Sequence, residues 1–250
     1  MAPAVLLRDA VSLAGRFPRL AGVSLEVAEG EVVHLRGPNG AGKTSLLRAC
    51  AGLVGICGGS AVVLGHDLRV DRLSLRRHVG LLGHRAFLYE ELSVEDNLRF
   101  AVRAARAPTS GIEPALDLLG LAGRVRSARA GSLSTGQRRR VALAVLAARS
   151  PSLWLLDEPH AGLDAAGRDV VDALVAGARG RGATVLLASH ELDRAGAVSD
   201  RSVTVVGGRI VGQPADDAPA DDAAGAPAGG GAPARVEVGS AGGGEGRDVA

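Results

Sequence analysis

An α/β fold is predicted by three features of the sequence. SLWLLDEP (152–159) and ATVLLASH (183–190) are compact apolar runs with the length of strands buried on both faces. Between them DAAGRDVVDALVAGARGRG reads as a helix, giving the strand–helix–strand order of a parallel sheet. A glycine-rich stretch, GPNGAGKT (37–44), also joins a strand, VVHLR, to a helical segment, SLLRACAGL.

The remaining elements follow in order. VLLRDAVSL, GVSLEVAEGEVVHLRG and SAVVLG are short, rich in valine and leucine and punctuated by glycine, and together they predict an N-terminal sheet. From about Val94 to Leu121 the pattern lengthens into helices, with Ser93 and Asp96 as start signals and Pro108 and Gly111 as interruptions. SLSTGQ (132–137) begins a further helix, where Ser134 and Gln137 fit a capping box. RSVTVVGGRIVG predicts a closing hairpin that turns at Gly207-Gly208.

With 46% hydrophobic residues in 250, the chain can build a sizeable core. No apolar run approaches the roughly 18 to 20 residues needed to cross a bilayer, and the opening MAPAVLLRDAVSL lacks the parts of a signal peptide, so a cytoplasmic location is expected. Cys50 and Cys57 have a spacing that matches no zinc or redox signature, and they read as reduced structural thiols. From Gln213 onward, 24 of 38 residues are alanine, glycine or proline, so residues 213–250 are expected to form a disordered tail. Residues 1–212 carry 27 basic and 20 acidic side chains, a net +7 suited to anionic partners.

Lysine usage sharpens that last point. Of 29 basic residues 28 are arginine, and the single lysine, Lys43, lies in GPNGAGKT. This stretch fits the phosphate-loop pattern in its confirming strand–loop–helix context. Gly37, Gly40 and Gly42 allow backbone N–H groups to close around phosphate oxygens, Lys43 reaches the β- and γ-phosphates, and Thr44 can hold Mg²⁺. LWLLDEP ends a buried strand in two acids at the carboxyl edge of the sheet. There Asp157 can hold Mg²⁺ through water, and Glu158 can polarise an attacking water as general base.

GPNGAGKT, LSTGQ, LWLLDEP and LLASH, in this order and spacing, resemble the ATP-binding subunit of ABC transporters over residues 4–212. LSTGQ discriminates, because generic phosphate-loop enzymes lack it. The resemblance implies a P-loop NTPase fold of ABC ATPase type: a mixed sheet core, an N-terminal antiparallel β subdomain and a helical subdomain over about 85–150. It also implies ATP and Mg²⁺ as cofactors, with nucleotide contacts from Gly37, Pro38, Asn39, Gly40, Ala41, Gly42, Lys43, Thr44 and Ser45. In such proteins a second copy packs head to tail, and its Ser134, Gly136 and Gln137 would meet the same ATP in trans. Glu158 is then the catalytic base, Ala161 to Asp164 the D-loop, and His190 the switch that senses the γ-phosphate.

Two positions depart from the family pattern. Counting back from Leu92-Ser93 puts His84 where a Mg²⁺-contacting glutamine usually lies. Ala14 falls where an adenine-stacking aromatic is common, leaving Phe17 or nearby aliphatic side chains for that task. GHRAFLYEELSVEDNLRF, GKTSLLR and GQRRRVALAVLAARSPSLWLLDEP look like the cytochrome c maturation ATPases of the haem exporter type, the CcmA family. Members of that family carry a histidine in this loop too, commonly followed by glutamine where this chain has Arg85. This implies energised export or release of a haem-related intermediate, integral membrane permease partners, and a peripheral position on the cytoplasmic face of the membrane. Phe87 and Tyr89 lie in the loop that faces the membrane subunits in that family.

Other readings are an ABC exporter ATPase for a drug, lipid or polysaccharide, and a nucleic-acid-associated ATPase of the same type. Five aromatic residues leave little for base stacking, and no nucleic-acid module is present, so no direct nucleic-acid partner is expected. One question concerns Arg138, Arg139 and Arg140, three cations at a helix start, where charge opposes the macrodipole. The resemblance answers that this helix end faces the γ-phosphate held by the partner chain. At about 100° per residue at most one or two of the three can face one ligand, and the others are expected to meet acids or solvent.

Overall fold

A computed structural model describes residues 2–84 and 86–211. Met1, Arg85 and the expected tail over 213–250 lie outside the described residues. Among the described residues no helix is long and apolar enough to cross a membrane.

The chain opens with the hairpin β1 (Val5–Ala14) and β2 (Phe17–Val27), followed by β3 (Val32–Arg36) and α1 (Lys43–Cys50). Next come β4 (Gly58–Val63), β5 (His66–Asp67), α2 (Arg72–Leu75) and β6 (Val79–Leu82). Helices α3 (Val94–Ala104), α4 (Ile112–Leu118) and α5 (Thr135–Arg149) lead into β7 (Leu153–Asp157). Then follow α6 (Ala165–Gly180), β8 (Thr184–Ala188), α7 (Leu192–Val198), β9 (Arg201–Val206) and β10 (Arg209–Val211).

Two sheets result. An antiparallel sheet has the order β2-β1-β4-β5, and a six-stranded sheet the order β10-β9-β3-β8-β7-β6. The larger is parallel from β9 to β6, with β10 added antiparallel through the hairpin at Gly207-Gly208. GVSLEVAEGEVVHLRG is thus not one part of an N-terminal sheet. A turn over 28–31 divides it, and VVHLR becomes the centre of the parallel sheet, between β8 and β9. Burial gives the reason: the end of β2 alternates buried and exposed, whereas Val32 to Leu35 are buried residue after residue.

Strand periodicity splits the apolar side chains between two cores. Trp154, Leu156, Val185 and Leu187 join the helices α3 to α6, while Leu153, Leu155, Leu186 and Ala188 face α1 and the antiparallel strands. All ten residues of β7 and β8 are buried. Each fully buried leucine contributes about 1.5 to 3 kcal/mol of burial. These two strands therefore make a continuous buried floor that runs to the carboxyl edge of the sheet.

Helix starts also obey local chemistry. The Ser93 side chain caps α3 by accepting from the Asp96 N–H, and Pro108 and Gly111 separate α3 from α4. Ser134 and Gln137 form the expected reciprocal box at the start of α5. Cys50 is buried and Cys57 exposed, both as free thiols, and burial pushes the Cys50 thiol up to about 12.

Candidate functional site

The carboxyl ends of β3, β7 and β8 open onto one cavity of about 300 Å³. Asn39, Gly40, Ala41, Gly42, Lys43, Thr44, Ser45, His84, Asp157, Glu158 and His190 line it. Residues far apart in sequence are brought together here because parallel strands deliver their C-terminal loops to the same edge.

The glycine loop is held from behind by the last hairpin. The Ala41 carbonyl accepts from the Gly208 N–H at 2.8 Å, and the Gly208 carbonyl accepts from Ala21 at 2.8 Å. Two glycines are dictated by this packing. Gly37 has φ 141°, and a Cβ there would lie 2.2 Å from the Val205 carbonyl oxygen; Gly42 has φ 110°, with Gly208 Cα at 3.1 Å and the Arg19 carbonyl at 3.3 Å from a Cβ. Gly42 also caps α1, whose free N–H groups face the cavity end of the loop. Lys43 is 7% exposed and donates from Nζ to the carbonyls of Gly37, 2.6 Å, and Pro38, 3.1 Å. Phe17 stands exposed at the start of β2, two residues from the Arg19 that borders Gly42.

Opposite the loop lie the two acids. Thr44 Oγ1 donates to Asp157 Oδ2 at 2.8 Å, so the hydroxyl and carboxylate expected to share a cation already face each other. Among the described residues no three histidine, cysteine or acidic side chains form a cage of their own. A hard ion that takes one carboxylate, one hydroxyl and otherwise phosphate and water oxygens fits this donor set, and Mg²⁺ has that preference.

Glu158 has a left-handed backbone, φ 49°, of the kind that costs a non-glycine residue about 1 to 3 kcal/mol. Its N–H donates to the Ala188 carbonyl at 2.8 Å. Its carboxylate accepts from the His190 N–H at 3.1 Å and lies 3.2 Å from His190 Nε2. Acid and histidine, 32 residues apart, therefore form one unit.

Ser134, Gly136 and Gln137 do not line this cavity. Gln137 Oε1 accepts from the Ser134 N–H at 2.9 Å, and Ser134 Oγ from the Gln137 N–H at 3.2 Å. The arginine run disperses around the helix. Arg138 donates to the carbonyls of Ala130 and Gly131, at 3.2 and 2.7 Å. Arg140 pairs with Asp164 at 2.9 Å. The Gly167 N–H first, and then Arg140, hold the Asp164 carboxyl below its ordinary range. Arg139 is buried and meets neither acid nor solvent but main-chain carbonyls, which corrects the expectation for its position.

Three features escape motif reading. Arg139 is one, though its spacing from Leu143 and Leu146 places it on the buried stripe of α5. His34 is another: 1% exposed on β3, it donates from Nε2 to the Ser189 carbonyl at 3.2 Å, directly behind His190. The third is His160, buried next to Pro159, whose Nε2 lies 2.9 Å from Asp172, itself bound by Arg194 at 2.6 Å.

The family model described as ABC transporter matches residues 20–161. The "Cytochrome c biogenesis ATP-binding export protein CcmA 2" of Cupriavidus metallidurans is 41% identical over 182 residues, which cover 72% of this chain and 86% of that protein. The human "Phospholipid-transporting ATPase ABCA7" is 34% identical over 219 residues, covering 84% of this chain but only 10% of that much longer protein. Among solved structures, a dimeric ATP-binding cassette in a post-hydrolysis state with ADP and Pi superposes with a TM-score of 0.75 at 24% identity, over 83% of this chain and 97% of that one. That last likeness speaks for the fold.

Proposed function

The chain belongs to the ABC transporter family of ATP-binding proteins, and from that premise we propose that it hydrolyses ATP to energise export or release of a haem-related intermediate in cytochrome c biogenesis. One observation carries the catalytic part: Lys43, Thr44, Asp157, Glu158 and His190 line a single cavity, with the Glu158 carboxylate bound by both the amide and the ring of His190. Similarity to the CcmA protein over 86% of its length supports the cytochrome part.

In this reading residues 4–212 act as the ATP-binding domain, with 85–150 as its helical arm. The loop from Gly37 to Ser45 receives the phosphates on its N–H groups, and Lys43 turns its ammonium from the loop carbonyls to the β- and γ-oxygens. Thr44 and Asp157 would hold Mg²⁺, which neutralises phosphate charge when bound. Glu158 takes a proton from the attacking water, while His190 orients the carboxylate and contacts the γ-phosphate. His84 reaches the same cavity from the end of β6 and takes the place of the usual glutamine.

Since Ser134, Gly136 and Gln137 stand outside the cavity, they serve a second copy of the chain packed head to tail. Integral membrane permease subunits complete the assembly and hold it on the cytoplasmic face. Lipid or another exported cargo is the second reading, favoured by the similarity to a phospholipid-transporting ATPase. One variant tests both levels. Purified Glu158→Gln is expected to hold ATP in a stable dimer with little turnover, and in cells to fail to restore c-type cytochromes to a deletion strain. Undiminished turnover would sink the base assignment; a deletion strain with normal cytochromes would redirect the cargo.

A further inference from the structure

Arg139 is the buried member of the arginine run, 7% exposed. Nη1 donates to the Gly83 carbonyl at 2.6 Å, and Nη2 donates to the carbonyls of Asp157, 3.0 Å, and Glu158. Nε is buried without a partner among the described residues. Burial draws the guanidinium pKa down, and the nearby carboxylates of Asp157 and Glu158 push it back up. Burying this cation carries a desolvation cost, offset by the pairing of three main-chain carbonyls, and stability alone does not say why these three are joined.

Location supplies a better account. Gly83 immediately precedes His84, Asp157 ends β7 with Glu158 directly after it, and Arg139 lies five residues past the Ser134 cap. One planar fork thus joins two strand ends of the hydrolytic site to the helix that carries the LSTGQ motif. Glu158 is where this join matters. Its left-handed backbone is held on one side by the Ala188 carbonyl and on the other by Arg139. A peptide in that conformation relaxes when its carbonyl partner is removed, and the carboxylate turns with it.

We infer that Arg139 is a positioning residue for hydrolysis, fixing the Glu158 main chain relative to the LSTGQ helix so that the carboxylate faces the attacking water. The inference rests on Glu158 being the general base. Lysine cannot replace it, because a single ammonium does not span three carbonyls in a fixed plane.

A double-mutant cycle tests it, read by single-turnover ATP hydrolysis of Arg139→Gln, Glu158→Gln and the combination. Arg139→Gln is expected to lower kcat about tenfold or more, with KM and nucleotide affinity held within about twofold. In the Glu158→Gln background the same change is expected to cost nothing further, since its effect runs through the carboxylate already removed. Losses that multiply, or an unchanged kcat in Arg139→Gln, overturn the inference. So does nucleotide affinity that falls in step with kcat, which marks a merely structural role. Arg139→Lys, which keeps length and charge, serves in the cycle should the glutamine variant not fold; a kcat equal to wild type would again overturn it. Full turnover in Glu158→Gln alone identifies failure of the base reading instead.

Discussion

His34 shows what a single buried side chain contributes beneath the site. As the neutral Nε2–H tautomer it donates to the Ser189 carbonyl, leaving Nδ1 to accept from Ser202 Oγ at 3.4 Å. Burial lowers its pKa from 6.5, with the cations of Arg36 and Lys43 adding to the effect and the Ser189 bond and Glu158 opposing it. In the unfolded chain His34 binds its proton near pH 6.5, but in the folded chain only at lower pH. Its contribution is therefore complete above about pH 6.5 and is lost as the pH falls toward the folded value. Urea denaturation from about pH 7 to 5 should show falling stability in the wild type and a flatter profile in His34→Gln. Parallel profiles would assign the slope elsewhere, with His78, also lowered by burial, as the next group to test.

Helix α5 is the element in which local and tertiary information separate most cleanly. Its start was legible from Ser134 and Gln137 alone, because a capping box is a contact between near neighbours. Ser134→Ala should cost about 1 kcal/mol by thermal or urea unfolding, the usual value of a lost cap. A loss near zero would mean that Arg138, bound to the carbonyls of Ala130 and Gly131, secures this end unaided. The partners of Arg139 were not legible, since Gly83 and Glu158 directly follow strands and lie 56 and 19 residues away. Likewise VVHLR could be read as a strand but not assigned to a sheet, because parallel neighbours are chosen by crossovers that leave no local mark. The glycine loop and the acids at the end of β7 could be placed at one sheet edge from sequence, because each is written in contiguous residues.

At the scale of the molecule, two cores flank one sheet and leave some aromatic surface outside them, on the loop that the proposed function turns toward membrane subunits. Phe87 is 76% exposed and Tyr89 52%, and Tyr89 packs edge-on to Phe100 with ring centroids 4.8 Å apart. The Tyr89–Phe100 pair is local packing, but Phe87, more exposed than either, adds little to folding. Phe87→Ala with Tyr89→Ala is expected to leave the unfolding midpoint nearly unchanged and to abolish co-purification with the proposed membrane subunits. Intact co-purification would move the docking face elsewhere. This surface could be suspected from sequence because aromatics are so rare here, yet only the fold shows that α3 adds Phe100 to it.

The sole lysine, buried and bound to the carbonyls of Gly37 and Pro38, makes the protein its own spectroscopic instrument. Isotope-labelled lysine would place one side-chain ammonium signal in the entire chain, at the spot where the proposed function brings phosphate. Loading, hydrolysis and release could then be followed by magnetic resonance without attaching a dye or adding a residue.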